Sequence, residues 1–287
     1  MPRFKMTCLW AAVALSMVSG SAQADHVNIV SAGGSITEII YALGAQDRLV
    51  ARDTTSTFPQ EAQALPNVGY VRALSPEGVL AMKPGLILAE EDAGPPETLE
   101  LLREANVPLV LIPDVPTSEG IATKIRAVGD ALGVDEPANE LAKQVSAQMK
   151  VVADRAAEVP EHSRKRVLFV LSLQGGRILA AGHDTEASSV IELAGAVNAM
   201  NGFSGYKPVS EEAMIAAAPD IILMMDRRGS GMADDAAVLS LPALAATPAG
   251  QEMALIRMDG QYLLGFGPRT AQAVTELADH IYGPAGS

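Results

Sequence analysis

Leu65-Pro66-Asn67-Val68-Gly69-Tyr70-Val71-Arg72-Ala73-Leu74-Ser75-Pro76-Glu77 is a loop that opens on Pro and Gly and runs into a helix whose N-terminus is written by Ser75, Pro76 and Glu77. Its pattern returns later in the chain. Gly69-Tyr70, Ser75-Pro76-Glu77, Pro84 and Ile87-Leu88 are answered by Gly205-Tyr206, Ser210-Glu211-Glu212, Pro219 and Ile222-Leu223. The serine-to-proline spacing is the same in both copies, and a glutamate stands two residues after each serine. Two copies of one supersecondary unit predict two similar lobes. Paired α/β lobes take ligands between them, at the loops that leave the strand ends, so Tyr70 and the loop around Tyr206 are expected to line one cleft.

Tyr70 stands two residues from Arg72. A guanidinium at that distance can donate hydrogen bonds to a phenolate and favour the ionised form. A phenolate is a hard anionic ligand suited to ferric iron, and it is one of the few protein groups that ligate haem iron axially. The alternative is a turn tyrosine whose ring packs on the following helix.

Outward from this loop, strand and helix alternate. Asn28-Ile29-Val30, Leu49 to Arg52, Leu86 to Ala89 and Leu109 to Ile112 read as strands, and Ile36 to Leu43 and Pro96 to Ala105 as helices. Gly33-Gly34-Ser35, between the first strand and helix, either presents backbone N–H groups to an anion or is a tight turn. From Thr117 the character changes. Ser118 to Leu132 is helical up to Gly133, and a second helix opens at Asp135-Glu136-Pro137 and stops before Pro160. At 1.5 Å per residue such a helix spans about 33 Å, the length of a strut across a small domain. The alternation resumes with Val167 to Leu171 and Ile221 to Met225, passes the turns Leu241-Pro242 and Thr247 to Gly250, and continues through Leu255 to Met258 to a C-terminal helix from Thr270. The fold expected is α/β: two similar lobes with mostly parallel sheets flanked by helices, joined by one long α-helix, with the ligand cleft between the lobes. The expected division is a signal peptide over 1–24, an N-terminal lobe over 25–133, a connecting helix over 134–160 and a C-terminal lobe over 161–287.

Arg3 and Lys5, an apolar run from Leu9 to Val18 and Ala22-Gln23-Ala24 make up that signal, which predicts export to the periplasm. The only cysteine, Cys8, lies within it and lacks the residues expected before a lipid-modified cysteine, so thiol and disulfide chemistry leave with the leader. A formal net charge of −13 argues against a nucleic-acid partner but permits a locally basic cleft. Arg227-Arg228, following a strand, are either simply solvated or placed where an open sheet presents its ligand contacts, and arginine suits carboxylates. His26, His162 and His280 lack metal-site spacing, and no nucleophile elbow is present, so an exported metal- or serine-dependent enzyme is the weaker reading.

Val68-Gly69-Tyr70-Val71-Arg72, Ala181-Gly182 with Thr185, Thr247-Pro248-Ala249-Gly250 and Leu263-Leu264-Gly265-Phe266-Gly267-Pro268-Arg269 together resemble the periplasmic haem-binding proteins of bacterial haem-uptake ABC transporters. The resemblance runs over nearly all of the mature chain. It implies that Tyr70 ligates ferric haem iron, that Arg72 holds the phenolate, and that Arg228 or Arg227 pairs with haem propionates. It also implies docking of Glu77 and Glu212, one on each lobe, to arginines of an inner-membrane permease dimer; singly, each glutamate is equally a favourable first-turn charge. Some members of that family hold a second, stacked haem through a histidine where this chain has Leu173, so one haem per monomeric chain is expected, with His183 as a possible substitute ligand. A ferric siderophore or cobalamin receptor of the same class is the alternative.

Overall fold

The computed structural model describes residues 27–174, 177–226 and 234–284. The leader with Cys8, His26 and the Arg227-Arg228 pair fall outside them. The first lobe runs β1 (Ile29–Ala32), α1 (Gly34–Ala42), β2 (Leu49–Arg52), β3 (Gly69–Tyr70), β4 (Ala73–Leu74), α2 (Pro76–Ala81), β5 (Leu86–Glu90), α3 (Pro96–Glu104) and β6 (Leu109–Ile112). Its main sheet has the order β2-β1-β5-β6 and is parallel throughout. The near-continuous apolar reading of β1 and β5 follows from this, because a parallel sheet is covered on both faces, and both strands are buried along their whole length.

Two antiparallel helices follow, α4 (Ser118–Leu132) and α5 (Asp135–Ala157). Thr117 caps α4 by accepting from the Gly120 N–H at 3.0 Å, and Gly133 ends it in the left-handed conformation at φ 71°. A Cβ on Gly129 would stand 2.1 Å from the Ala138 Cβ, so a glycine is required where the helices cross. Ala138, Ala142, Val145, Met149 and Val152 form one buried stripe along α5, whose 23 residues span about 34 Å.

The second lobe comprises β7 (Arg166–Gln174), β8 (Arg177–Ala181), α6 (Glu186–Leu193), β9 (Val197–Asn198), β10 (Tyr206–Val209), α7 (Glu211–Ala217), β11 (Ile221–Asp226), α8 (Asp235–Leu239), α9 (Pro242–Ala245), α10 (Pro248–Gln251), β12 (Leu255–Asp259), α11 (Gly260–Leu264) and α12 (Thr270–Tyr282). Its sheet has the order β10-β8-β7-β11-β12, with β9 beside β7. The sheets are mostly parallel, as expected, with β9 also parallel to β7, and the antiparallel pairs are confined to one edge of this second sheet. β11 is parallel to both its neighbours, but β7 with β8 and β8 with β10 are antiparallel. Only two residues separate β7 from β8, far fewer than the crossover a parallel pair needs. The predicted turns at Leu241-Pro242 and Thr247-Pro248 open the single-turn helices α9 and α10, each with proline in its first turn.

The repeat seen in the sequence is structural. Ser75 and Ser210 are the N-caps of α2 and α7, each accepting from the N–H three residues on at 3.2 Å. Lys83 and Ala218 both adopt positive φ, at 50° and 41°, immediately before Pro84 and Pro219 and the buried strands β5 and β11. One apolar core runs through both lobes, joining Ile29 and Leu88 of the first to Val167 and Phe169 of the second through α4, Met149 of α5 and Leu277 of α12.

Candidate functional site

Tyr70 and Arg72 lie on the tight hairpin of β3 and β4, in which Tyr70 pairs with Ala73 and Gly69 with Leu74. Backbone bonds fix this hairpin on two sides. The Val68 N–H donates to Arg52 O at 3.0 Å and the Thr54 N–H to Gly69 O at 2.8 Å, which ties it to the end of β2. The Gly94 N–H donates to Val71 O at 3.0 Å and the Leu74 N–H to Gly94 O at 2.9 Å, which ties it to the loop after β5. Gly69 at φ 103° makes the entry bend, in a conformation that a side chain would strain. Val71 is fully buried beneath the hairpin, so its neighbours project outward and Tyr70 remains 42 % exposed.

Arg72 Nη1 donates to the Tyr70 phenol oxygen at 2.8 Å, and the guanidinium carbon lies 5.9 Å from the ring centroid. The pair read from the sequence is therefore in direct contact. Asp92, in the loop after β5, accepts from Arg72 Nε at 2.6 Å and also contacts Nη2. Burial works against the charge on Arg72, but the Tyr70 hydrogen bond and the charge of Asp92 more than offset it, so Arg72 is held protonated more firmly than usual.

The other tyrosines near the second lobe are differently placed. Tyr206, on β10, donates its hydroxyl to Glu186 Oε2 at 3.1 Å, and its ring meets Phe169 edge-on. Burial, reinforced by the Glu186 carboxylate, pushes its phenol above the ordinary range, so it stays neutral. Burial and Glu276 push the Tyr262 phenol up to about 12, with the same consequence. Gly69 and Gly205 both precede their tyrosines at positive φ, but Tyr70 lies on the β3–β4 hairpin whereas Tyr206 lies on β10, paired with β8. His183 pairs with its neighbour Asp184 at 2.7 Å on the surface, and Leu173 pairs with Ile178 across the β7–β8 ladder.

Gly33-Gly34-Ser35 is a packed turn, not an open anion cradle. The Gly33 N–H donates to Asp53 Oδ1 at 3.1 Å, and a Cβ at Gly33 or Gly34 would strike the side chains of Glu90 or Gln261. Behind it lies a polar junction between the lobes. Lys124 of α4 is fully buried, and its ammonium reaches Asp114 Oδ1 at 2.6 Å, Ser35 Oγ at 3.1 Å and Gly265 O at 3.2 Å, one acceptor for each of its three protons. Arg269 forks onto buried Glu38 at 2.5 and 3.0 Å while stacking 3.6 Å over the Phe58 ring and 4.9 Å from that of Tyr262. Sequence reasoning passed over Lys124, Asp114, Glu90, Asp92 and the role of Arg269; the one available signal was an ionisable residue interrupting an apolar helical stripe, as Lys124 does between Ile121 and Ile125.

Glu77 and Glu212 are exposed in the first turns of α2 and α7. Each accepts from its own backbone N–H and then from the capping serine, which holds both carboxyls below the usual range. Among the described residues, no group of three or more His, Cys, Asp or Glu side chains is placed to hold a metal ion, and no helix is long and apolar enough to cross a membrane.

Comparison with known proteins agrees with this architecture. The chain resembles the periplasmic heme-binding protein RhuT from Roseiflexus sp. RS-1, at 40 % identity and a TM-score of 0.85, over 89 % of this chain and 98 % of that one. It resembles the periplasmic heme-binding protein BhuT in complex with two hemes at 38 % identity and a TM-score of 0.84, over 89 % and 97 %. The vitamin B12-binding protein of Vibrio campbellii (strain ATCC BAA-1116) is 26 % identical over 72 % of each chain. Residues 29–262 match the family model described as periplasmic binding protein, which spans both lobes and the helix between them. This two-lobed chain therefore belongs to the periplasmic binding protein family, whose members bind substrates for ABC transporters and are not enzymes.

Proposed function

We propose that this protein captures a single ferric haem in the periplasm and delivers it to an inner-membrane ABC permease dimer. The observation that carries the reading is the 2.8 Å hydrogen bond from Arg72 to the exposed phenol oxygen of Tyr70. When iron displaces the phenolic proton, the oxygen keeps that hydrogen bond and still has lone pairs to offer the metal. A lone phenolate cannot hold bare iron, whereas a macrocycle brings its own equatorial nitrogens. Sequence identities of 38 and 40 % to heme-binding proteins point the same way.

Arg228 and Arg227 are assigned to the propionates, and Glu77 and Glu212 to permease docking. The mature chain is assigned to begin after the 1–24 leader and to act as a monomer. A haem count of one follows from Leu173, whose side chain has no atom to offer iron. Titration with hemin tests the whole reading. We expect a high-spin tyrosinate-type ferric spectrum saturating at one equivalent, lost in Tyr70→Phe. A second equivalent with its own spectral change, abolished in His183→Ala, would overturn the count. The second reading, a cobalamin receptor, is favoured by the Vibrio campbellii relative; saturable binding of cyanocobalamin with no spectral response to hemin would establish it instead.

A further inference from the structure

We propose that Asp92 is a positioning residue for the ligand tyrosine, holding the Arg72 guanidinium in the one orientation that aims Nη1 at the Tyr70 oxygen. This rests on the haem reading above and extends it to a residue twenty positions from the nearest member of the Tyr-x-Arg motif. Arg72 is a flexible side chain on a hairpin turn, about half exposed, and left alone it samples many rotamers. Asp92 removes that freedom by taking Nε at 2.6 Å and contacting Nη2, the edge of the guanidinium away from Tyr70. Nη1 is then the nitrogen left for the phenol, and it is the one that reaches it.

Both ends of this carboxylate–guanidinium–phenol chain are carried on backbone that is already fixed. The loop bearing Asp92 closes on itself through Ala93 N–H to Glu90 O at 2.9 Å, and Gly94 bonds the hairpin on either side, to Val71 O and from the Leu74 N–H. Thr98 Oγ1 adds a bond to Leu74 O at 3.2 Å. The ion pair is thus framed before any ligand arrives, and the ordering entropy of Arg72 is spent in the free protein rather than on binding. A partner of a metal ligand that fixes its geometry in this way ordinarily changes affinity when removed.

The test is a double-mutant cycle read by hemin titration, with Asp92→Ala, Asp92→Asn, Arg72→Ala and the pair Asp92→Ala/Arg72→Ala. Asp92→Ala is expected to weaken hemin binding about fivefold, the upper range for a partly exposed ion pair. Asp92→Asn, which keeps an acceptor for Nε, should lose less. In the Arg72→Ala background, Asp92→Ala should add nothing, because its effect passes through the guanidinium. Equal losses in both backgrounds, or no loss in a protein whose binding still depends on Tyr70, would overturn the proposal. Should hemin fail to bind, or bind regardless of Tyr70→Phe, the haem reading falls, and Asp92 is judged on the ligand-free protein. There the Arg72 Nε–H resonance, assigned by its loss in Arg72→Ala, should exchange slowly with solvent in the wild type and rapidly in Asp92→Ala. Equal exchange in the two would refute the orienting role.

Discussion

Glu90 closes β5 with its carboxyl accepting from Ser35 Oγ at 3.2 Å, beside the buried Lys124. Burial pushes this carboxyl up to about 8, and the attraction of Lys124 is not enough to offset it. The folded protein therefore keeps a proton that the unfolded chain releases near 4.5, and stability carried by Glu90 is lost as pH rises between those values. Glu90→Gln, neutral at every pH and able to accept from Ser35, should be stabilised relative to wild type progressively from pH 5 to pH 8. Urea midpoints measured at several pH values check this, and curves that stay parallel would show that Glu90 ionises freely in the fold. The contrast with Asp92, two residues on, is instructive. Asp92 is exposed and spends its charge on Arg72, whereas Glu90 is buried and serves as a neutral hydrogen-bonding group.

The α4–α5 hairpin depends on one missing side chain. A methyl group at Gly129 would overlap the Ala138 methyl at 2.1 Å, and neither helix can retreat without opening the stripe from Ala138 to Val152. Gly129→Ala is expected to destabilise the protein by about 1–3 kcal/mol despite its better helix propensity, as read by thermal or urea denaturation. Ala218 poses the opposite case. It holds φ at 41° to end α7, a conformation that costs an L-residue about 1 kcal/mol, so Ala218→Gly should raise stability by up to about that amount. Lys83 occupies the same place after α2, which shows that the turn is required by the strand that follows rather than chosen by the residue.

The lobes are held by more than the strut. A core continuous through α4, α5 and α12, the Lys124 junction and the Arg269–Glu38 fork resist hinge bending, so ligand capture in this chain calls for small adjustment rather than closure. X-ray scattering with and without hemin should give the same radius of gyration. Glu77 and Glu212 stand on equivalent helices of the two lobes in the same serine-capped setting, as a permease with matching halves would require. Reversing both to lysine should abolish haem transport into vesicles while leaving hemin affinity unchanged; loss of hemin binding instead would sink the docking assignment.

Much of this was legible in the order of residues. Strand and helix bounds fell where apolar runs met Gly, Pro and capping Ser or Thr, since these signals act over a few neighbours along the chain. The repeat announced two lobes, and the Tyr70–Arg72 contact could be foreseen because the two residues are near enough to meet on one hairpin. Contacts between distant positions were beyond such reading. The antiparallel β7–β8–β10 edge, the Asp92 grip on Arg72, the burial of Lys124 and the Arg269–Glu38 fork each join groups that approach one another only after the sheets have formed. Which acid stays neutral and which pairs with a cation then depends on solvent exclusion and neighbouring charge, and both are properties of the packed chain.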